Sequence, residues 1–151
     1  LTVHFTKEAL GEVFWQEMTT SEDLLAHEKL LPRLLKFGAY WTGDNTATEN
    51  ELQGSVNMIL QLGVSGHPFG GSDVPGFYGE VSDDLFIKFY QLGAFYPFYR
   101  AHTEINTPNR EPWLQSERVQ TAIRAAINQR YDFIHYMYST FEQMTRTAEP
   151  I

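Results

Sequence analysis

The chain has 151 residues, enough for one domain with a real core but short of the roughly 250 of a complete (β/α)8 barrel. Eleven Lys and Arg against nineteen Asp and Glu leave a formal charge of -8 with no basic cluster to offset it, which argues against a nucleic-acid partner. The absence of cysteine excludes a disulfide framework and a thiolate metal site, and no apolar run approaches membrane-spanning length.

Residues 1–10 alternate polar and apolar side chains around Lys7 and Glu8, unlike a signal peptide. Residues 1–36 are read as a separate helical segment. Its helix is expected over residues 20–31, with Ser21 as N-cap, Glu22 and Asp23 in the first turn and Pro32 ending it. From residue 37 the pattern changes. The aromatic run Phe37-Gly-Ala-Tyr-Trp41 is strand-like and stops at Thr42-Gly-Asp-Asn45, which has loop composition. Thr48-x-x-Glu51 then reads as a capping box, followed by Leu52, Val56, Ile59 and Leu60 at helical spacing.

The same unit recurs twice. A second strand is expected over residues 64–71, ending at Ser72-Asp73. A Gly/Pro loop follows, then a helix from Ser82 bearing Leu85, Phe86, Phe89, Tyr90 and Leu92. A third strand, over residues 97–101, ends at His102. The segment from 116 to about 146 reads as a helix with Val119, Ile123, Ile127, Ile134, Tyr138 and Phe141 on a buried stripe, and with Arg124, Arg130, Glu142 and Arg146 on a solvated face. Gln61-Leu-Gly63 returns as Gln91-Leu-Gly93, and Pro68-Phe69 as Pro97-Phe98. Asp44, Asp73 and His102 fall at equal intervals, one βα unit each, so each polar residue sits at the C-terminal end of a strand. This is an α/β pattern with parallel strands; a doubly wound sheet shows the same alternation, so spacing alone does not select a barrel.

Asp44 and Asp73 stand among Tyr40, Trp41, Phe69, Phe77 and Tyr78, a combination suited to sugars: carboxylates for hydroxyls, flat apolar rings for the pyranose C–H face. Each residue also has a plainer reading. Asp44 in Gly-Asp-Asn is ordinary turn or helix-cap chemistry, Asp73 a strand-end carboxylate bonded to backbone amides, His102 a satisfied core histidine, and Trp41 and Phe77 packing residues. His67, placed in mid-strand, lies away from the strand end that carries Asp73 and His102, which disfavours a metal site. Neither a Gly-rich phosphate loop nor a nucleophilic Ser/His arrangement stands out.

Four motifs in order carry a resemblance: Phe37-Gly-Ala-Tyr-Trp-Thr-Gly-Asp-Asn45; Met58-Ile-Leu-x-Leu-Gly-x-Ser-Gly66; Pro68-Phe-x-Gly-x-Asp-Val-x-Gly-Phe77; and Tyr90-Gln-Leu-Gly-Ala-Phe-x-Pro-Phe-x-Arg-Ala-His102. With Arg110-Glu-Pro-Trp-Leu114, Ala125-x-x-x-x-Arg-Tyr131 and Glu149-Pro150, the stretch 37–151 resembles the catalytic barrel of glycoside hydrolase family 31 α-glucosidases, and within them those that trim glucose from N-glycan precursors in the endoplasmic reticulum. The resemblance implies an α/β fold that is a partial TIM-type (β/α)8 barrel, about the last three βα units. Asp44 takes the place of the general acid/base. Trp41, Asp73, Phe77 and His102 take substrate-binding places around the cleaved sugar. It further implies retaining hydrolysis of terminal α-linked glucose without cofactor or metal, a glucosylated N-glycan or simpler α-glucoside as substrate, a location in the endoplasmic reticulum lumen, and a non-catalytic β-subunit or larger assembly as partner.

Departures from the family pattern bear on activity. The family's nucleophile, an aspartate in a Trp-Asn-Asp-Met-Asn-Glu motif, has no counterpart in residues 1–36. An arginine strand normally placed just before the Asp44 strand is missing too, with Arg33 too close to Asp44 to replace it. Glu49 stands where a tryptophan is usual, Gly54 interrupts a helix, and Pro75 replaces a small residue. The expectation is a chain inactive by itself; the alternative is a non-catalytic, degenerate relative serving as a structural or binding subunit.

Overall fold

The computed structural model describes residues 38–147 and 149–151. The expected helix over 20–31 and Arg33 lie outside the described residues.

Strand β1 (Tyr40–Trp41) pairs in parallel with β2 (Gly70–Gly71), Tyr40 opposite Gly70 and Trp41 opposite Gly71. After Ser72, β3 (Asp73–Val74) pairs in parallel with β4 (Arg100–Ala101), Asp73 opposite Arg100. The central run 70–74 is bonded on both sides. Tyr40 N donates to Phe69 O (2.9 Å) and Thr42 N to Gly71 O (3.0 Å) on one flank; Phe98 N donates to Gly70 O (2.9 Å) and His102 N to Val74 O (2.9 Å) on the other. Three parallel segments therefore lie side by side with their C-terminal ends together, and a parallel connection requires a crossover. Two helices supply these crossovers, α1 (Glu49–Val64) and α2 (Asp83–Gly93). The described residues form no closed barrel.

Both crossover helices start where the sequence places them. Thr48 Oγ1 accepts from Glu51 N and Ser82 Oγ from Leu85 N, each at 3.3 Å, satisfying amides that have no partner in the first turn. The second strand is shorter than expected, because α1 runs on through Val64. Ser65 then closes the helix, its amide and hydroxyl both donating to Gln61 O, Gly66 turns at φ +86°, and His67 N bonds back to Leu62 O (2.8 Å). His67 is thus in a turn before β2 rather than in mid-strand, its ring stacked on Tyr40 at 4.8 Å. The third strand likewise shrinks to β4, as Phe95 N and Tyr96 N bond back to Leu92 O and Gly93 O in tight turns.

A short 3-10 turn (Pro112–Leu114) leads into α3 (Glu117–Thr147). Leu52, Val74, Phe86, Phe89, Tyr90, Tyr96, Val119 and Ile123 make the core between strands and helices. Only the first half of the expected α3 stripe is buried: Val119 and Ile123 are 0% and 1% exposed, but Ile134 is 46% and Tyr138 77% exposed. The reason is length. At 1.5 Å per residue α3 extends roughly 46 Å and its partner α2 roughly 16 Å, so α3 outruns it. Arg130, expected on the solvated face, is instead half-buried; it donates to Ala94 O, Tyr96 O and Pro97 O, serving carbonyls left over at the end of α2. No described helix is long and apolar enough to cross a membrane.

Candidate functional site

The loop after β1 is built around Asn45, which is 5% exposed. Its Nδ2 donates to Ser72 Oγ (3.0 Å) and Asp73 O (3.2 Å), its Oδ1 accepts from Phe77 N (3.1 Å), and its own carbonyl accepts from Phe77 N and Tyr78 N. One buried amide thereby ties the loop carrying Asp44 to the loop carrying Phe77. Gly43, at φ +88°, supplies the left-handed turn that leaves Asp44 exposed, and Tyr78 donates its hydroxyl to Asp44 Oδ2 at 3.3 Å. Across the gap Gly76, at φ +105°, lies so close to Ala47 that a Cβ would come within 2.6 Å of the Ala47 Cα. Only glycine fits there.

Asp73 is fully buried at the end of the central run, where Arg100 Nη2 donates to its Oδ1 at 2.5 Å. Burial pushes its carboxyl above the ordinary aspartate range; the Arg100 guanidinium and His102 pull it back, and the negative charge of Asp44 adds to the rise. Arg100 also lies over the Trp41 ring, 5.1 Å from its centroid, and Trp41 is itself buried. His102 is exposed, its imidazole 5.3 Å from the Phe77 ring. Trp41, Asp44, Asp73, Phe77 and His102 are therefore linked through a small set of contacts at one end of three parallel strands. The plainer readings hold in part: Asp73 is bonded to an arginine rather than to backbone amides, Trp41 does pack, and His102 is not a core histidine.

Three residues of this arrangement were not singled out from sequence. Arg100 precedes His102 by two positions, and the period of a strand puts such residues on one face. Asn45 and Arg110 stand in the quoted motifs, but nothing local ties them to the site: Asn45 reads as loop, and Arg110, which donates to the Gly76 and Gly79 carbonyls, lies more than thirty positions further along the chain. A cleft of about 460 Å³ opens beside the site, lined by Pro75, His102, Glu104, Ile105, Arg110 and Trp113 among others, and it meets the five residues only at His102. Among the described residues no group of three or more His, Asp or Glu side chains is placed to hold a metal ion.

Parallel strands joined by helices, with carboxylates and aromatic rings gathered near the strand ends, define an α/β unit with a polar and aromatic mouth. Residues 10–140 match the profile of the glycosyl hydrolases family 31 TIM-barrel domain, a match that begins within the first 36 residues. The chain is 44% identical over 116 residues to the probable glucan 1,3-alpha-glucosidase of Oryza sativa subsp. japonica, covering 77% of this chain and 13% of that protein. It is 42% identical over 149 residues to neutral alpha-glucosidase C of Mus musculus, covering 91% and 17%. Among solved structures, the glucosidase II alpha subunit bound to Glc1Man2 superimposes with a TM-score of 0.75 at 44% identity, over 77% of this chain and 13% of that one. The chain belongs to glycoside hydrolase family 31, as a fragment of its TIM-barrel domain, and spans less than a fifth of the length of these relatives.

Proposed function

We propose that this chain carries the acid/base side of a retaining α-glucosidase site, with Asp44 as the proton donor to the leaving glycosidic oxygen and then the base that activates water. The observation that carries this reading is Asp44 itself: an exposed carboxylate on a left-handed glycine turn, bonded by the hydroxyl of Tyr78, whose neighbour Phe77 lies against His102. In this role Trp41 and Phe77 wall the subsite for the cleaved glucose, His102 donates to a sugar hydroxyl, and Asp73 with Arg100 forms its charged floor. The substrate class is a terminal α-linked glucoside. A glucosylated glycan fits by likeness to the glucosidase II alpha subunit, solved with Glc1Man2 and with the binding domain of a regulatory subunit; the same likeness motivates an endoplasmic reticulum location and a partner subunit.

Retaining hydrolysis needs a second carboxylate about 5–5.5 Å from the first, free to attack the anomeric carbon. Asp73 is committed to Arg100 and is buried, so it does not serve as that nucleophile. The likeness to the mouse protein runs over 149 residues yet takes in 91% of this chain, so about a dozen positions of the relative face no residue here. The 116-residue match needs no such gap. This supports a lost segment such as the arginine strand. We therefore expect no turnover when the purified chain is incubated with an aryl α-glucoside. Hydrolysis above background that Asp44→Asn abolishes would overturn the claim of inactivity while upholding Asp44 as acid/base.

The second reading, a non-catalytic relative acting as a structural or binding subunit, is favoured by the exposed apolar side chains Leu60, Val64, Tyr131 and Tyr138. Native mass in its source separates the two. A much longer native chain bearing the aspartate motif supports the enzyme, and a stable short chain bound to other subunits supports the second reading.

A further inference from the structure

Arg110 is 7% exposed and lies more than thirty residues downstream of the loop it touches. Its guanidinium donates to the Gly76 carbonyl at 2.7 Å and also to the Gly79 carbonyl. Those carbonyls bracket Phe77 and Tyr78, the two rings that meet the exposed polar groups of the site. Phe77 lies 5.3 Å from the His102 imidazole, and Tyr78 donates to Asp44. The turn has little stiffness of its own. Gly76 and Gly79 both sit at positive φ (+105° and +80°), and glycine loses more backbone freedom on ordering than any other residue. The same loop that brings Arg110 also fastens the Phe77 carbonyl, which accepts from Thr103 Oγ1 (3.1 Å) and Glu104 N (3.2 Å).

We propose that Arg110 is a positioning residue for the site: its two-pronged bond to Gly76 and Gly79 sets the 76–79 turn so that Phe77 faces His102 and Tyr78 faces Asp44. Both acceptors are neutral carbonyls, so the bond uses the planar fork of arginine for geometry, which a lysine does not reproduce. The meaning of this placement for sugar recognition rests on the α-glucosidase reading; the clamp itself does not.

The test uses the full chain, isotopically labelled, in solution NMR. In the wild type the Arg110 Nη protons should be protected from exchange, unlike those of exposed Arg124. The His102 ring signals should carry a ring-current shift that Phe77→Leu removes. Arg110→Met should lose that shift to the same extent while the methyl signals of core Val119 and Ile123 stay in place, and Arg110→Lys should recover part of it. An Arg110→Met chain with the His102 shift intact overturns the proposal, as do Arg110 protons that exchange as freely as those of Arg124. The second measurement needs no variant and decides the matter if both variants fail to fold. Titrating the wild type with methyl α-glucoside keeps the two readings apart. Unmoved Asp44 and His102 signals count against the α-glucosidase reading, whereas the clamp is judged on the free protein.

Discussion

Asp73 and Arg100 form a pair in which one partner is fully buried and the other is part-exposed, with side-chain exposures of 1% and 24%. Burial raises the Asp73 pKa above its unfolded value, so the folded chain takes up this proton at a higher pH than the unfolded chain does. Between the two values the native state holds more protons, and the contribution of Asp73 to stability falls as pH rises through that window. Arg100 narrows the window by favouring the charged form. Arg100→Met should therefore cost about 3 kcal/mol at pH 7, where an unpaired buried carboxylate is left behind. The deficit should shrink as the pH is lowered toward 4, because Asp73 then protonates in the folded variant. Urea denaturation at both pH values checks this, and equal deficits would refute the account. The glycines permit a cleaner contrast. At Gly43 an added methyl meets nothing within 4 Å, so Gly43→Ala carries only the left-handed penalty of about 1–2 kcal/mol. At Gly76 the same change also collides with Ala47, and Gly76→Ala should lose at least about 1 kcal/mol more in the same assay. The equal spacing of Asp44, Asp73 and His102 was legible because the βα unit recurs: Asp44 and His102 lie in the loops just after β1 and β4, and Asp73 lies near the end of the central run. The roles of Asn45 and Arg110 were not legible, since they lie in hydrogen bonds to residues 27 to 34 positions distant in the chain.

At the scale of elements, helices were more readable than strands for a physical reason. Thr48 and Ser82 announce α1 and α2 through side-chain caps, and each helix is long enough for its apolar period to repeat. The strands are two residues each, too short to express an alternation, so the apolar run from 64 to 71 could be helix end, turn or strand. The capping bonds of Ser65 and His67 decided it. The departures in α1 are also explicable. Glu49, standing where a tryptophan is usual, is bonded to Lys88 of α2 at 2.5 Å in an exposed ion pair. Gly54 does not break the helix, and a Cβ there would meet nothing within 4 Å. Gly54→Ala should accordingly stabilise the chain by up to about 1 kcal/mol, the helix-propensity difference with no packing cost to oppose it. A thermal melt of the single variant checks this. Destabilisation would mean that the α1 surface at Gly54 is covered.

At the scale of the whole molecule, the period of α3 outlasts its burial. Val119, Ile123 and Ile127 continue at helical spacing into Tyr131, Ile134 and Tyr138, and the last three are 66%, 46% and 77% exposed. Met137, in the same half of the helix, is 8% exposed, so the buried face of α3 shifts off this stripe, and among the described residues little packs against the stripe itself. Phe133 and Phe141 meet Phe95 and Phe69 along this stretch, so the far half of α3 is anchored by edge-on ring contacts rather than by a continuous interface. If the stripe is exposed in solution, the native chain should bind an apolar fluorescent dye without denaturant. The double change Ile134→Glu with Tyr138→Glu should then reduce dye binding while altering stability by no more than about 0.5 kcal/mol, as for substitutions at exposed sites. Ile123→Glu, about three to four turns earlier on the same stripe but 1% exposed, should by contrast unfold the chain. The two outcomes separate the packed part of the stripe from its exposed part. A double variant that melted as readily as Ile123→Glu would show that the stripe is covered by other parts of the protein.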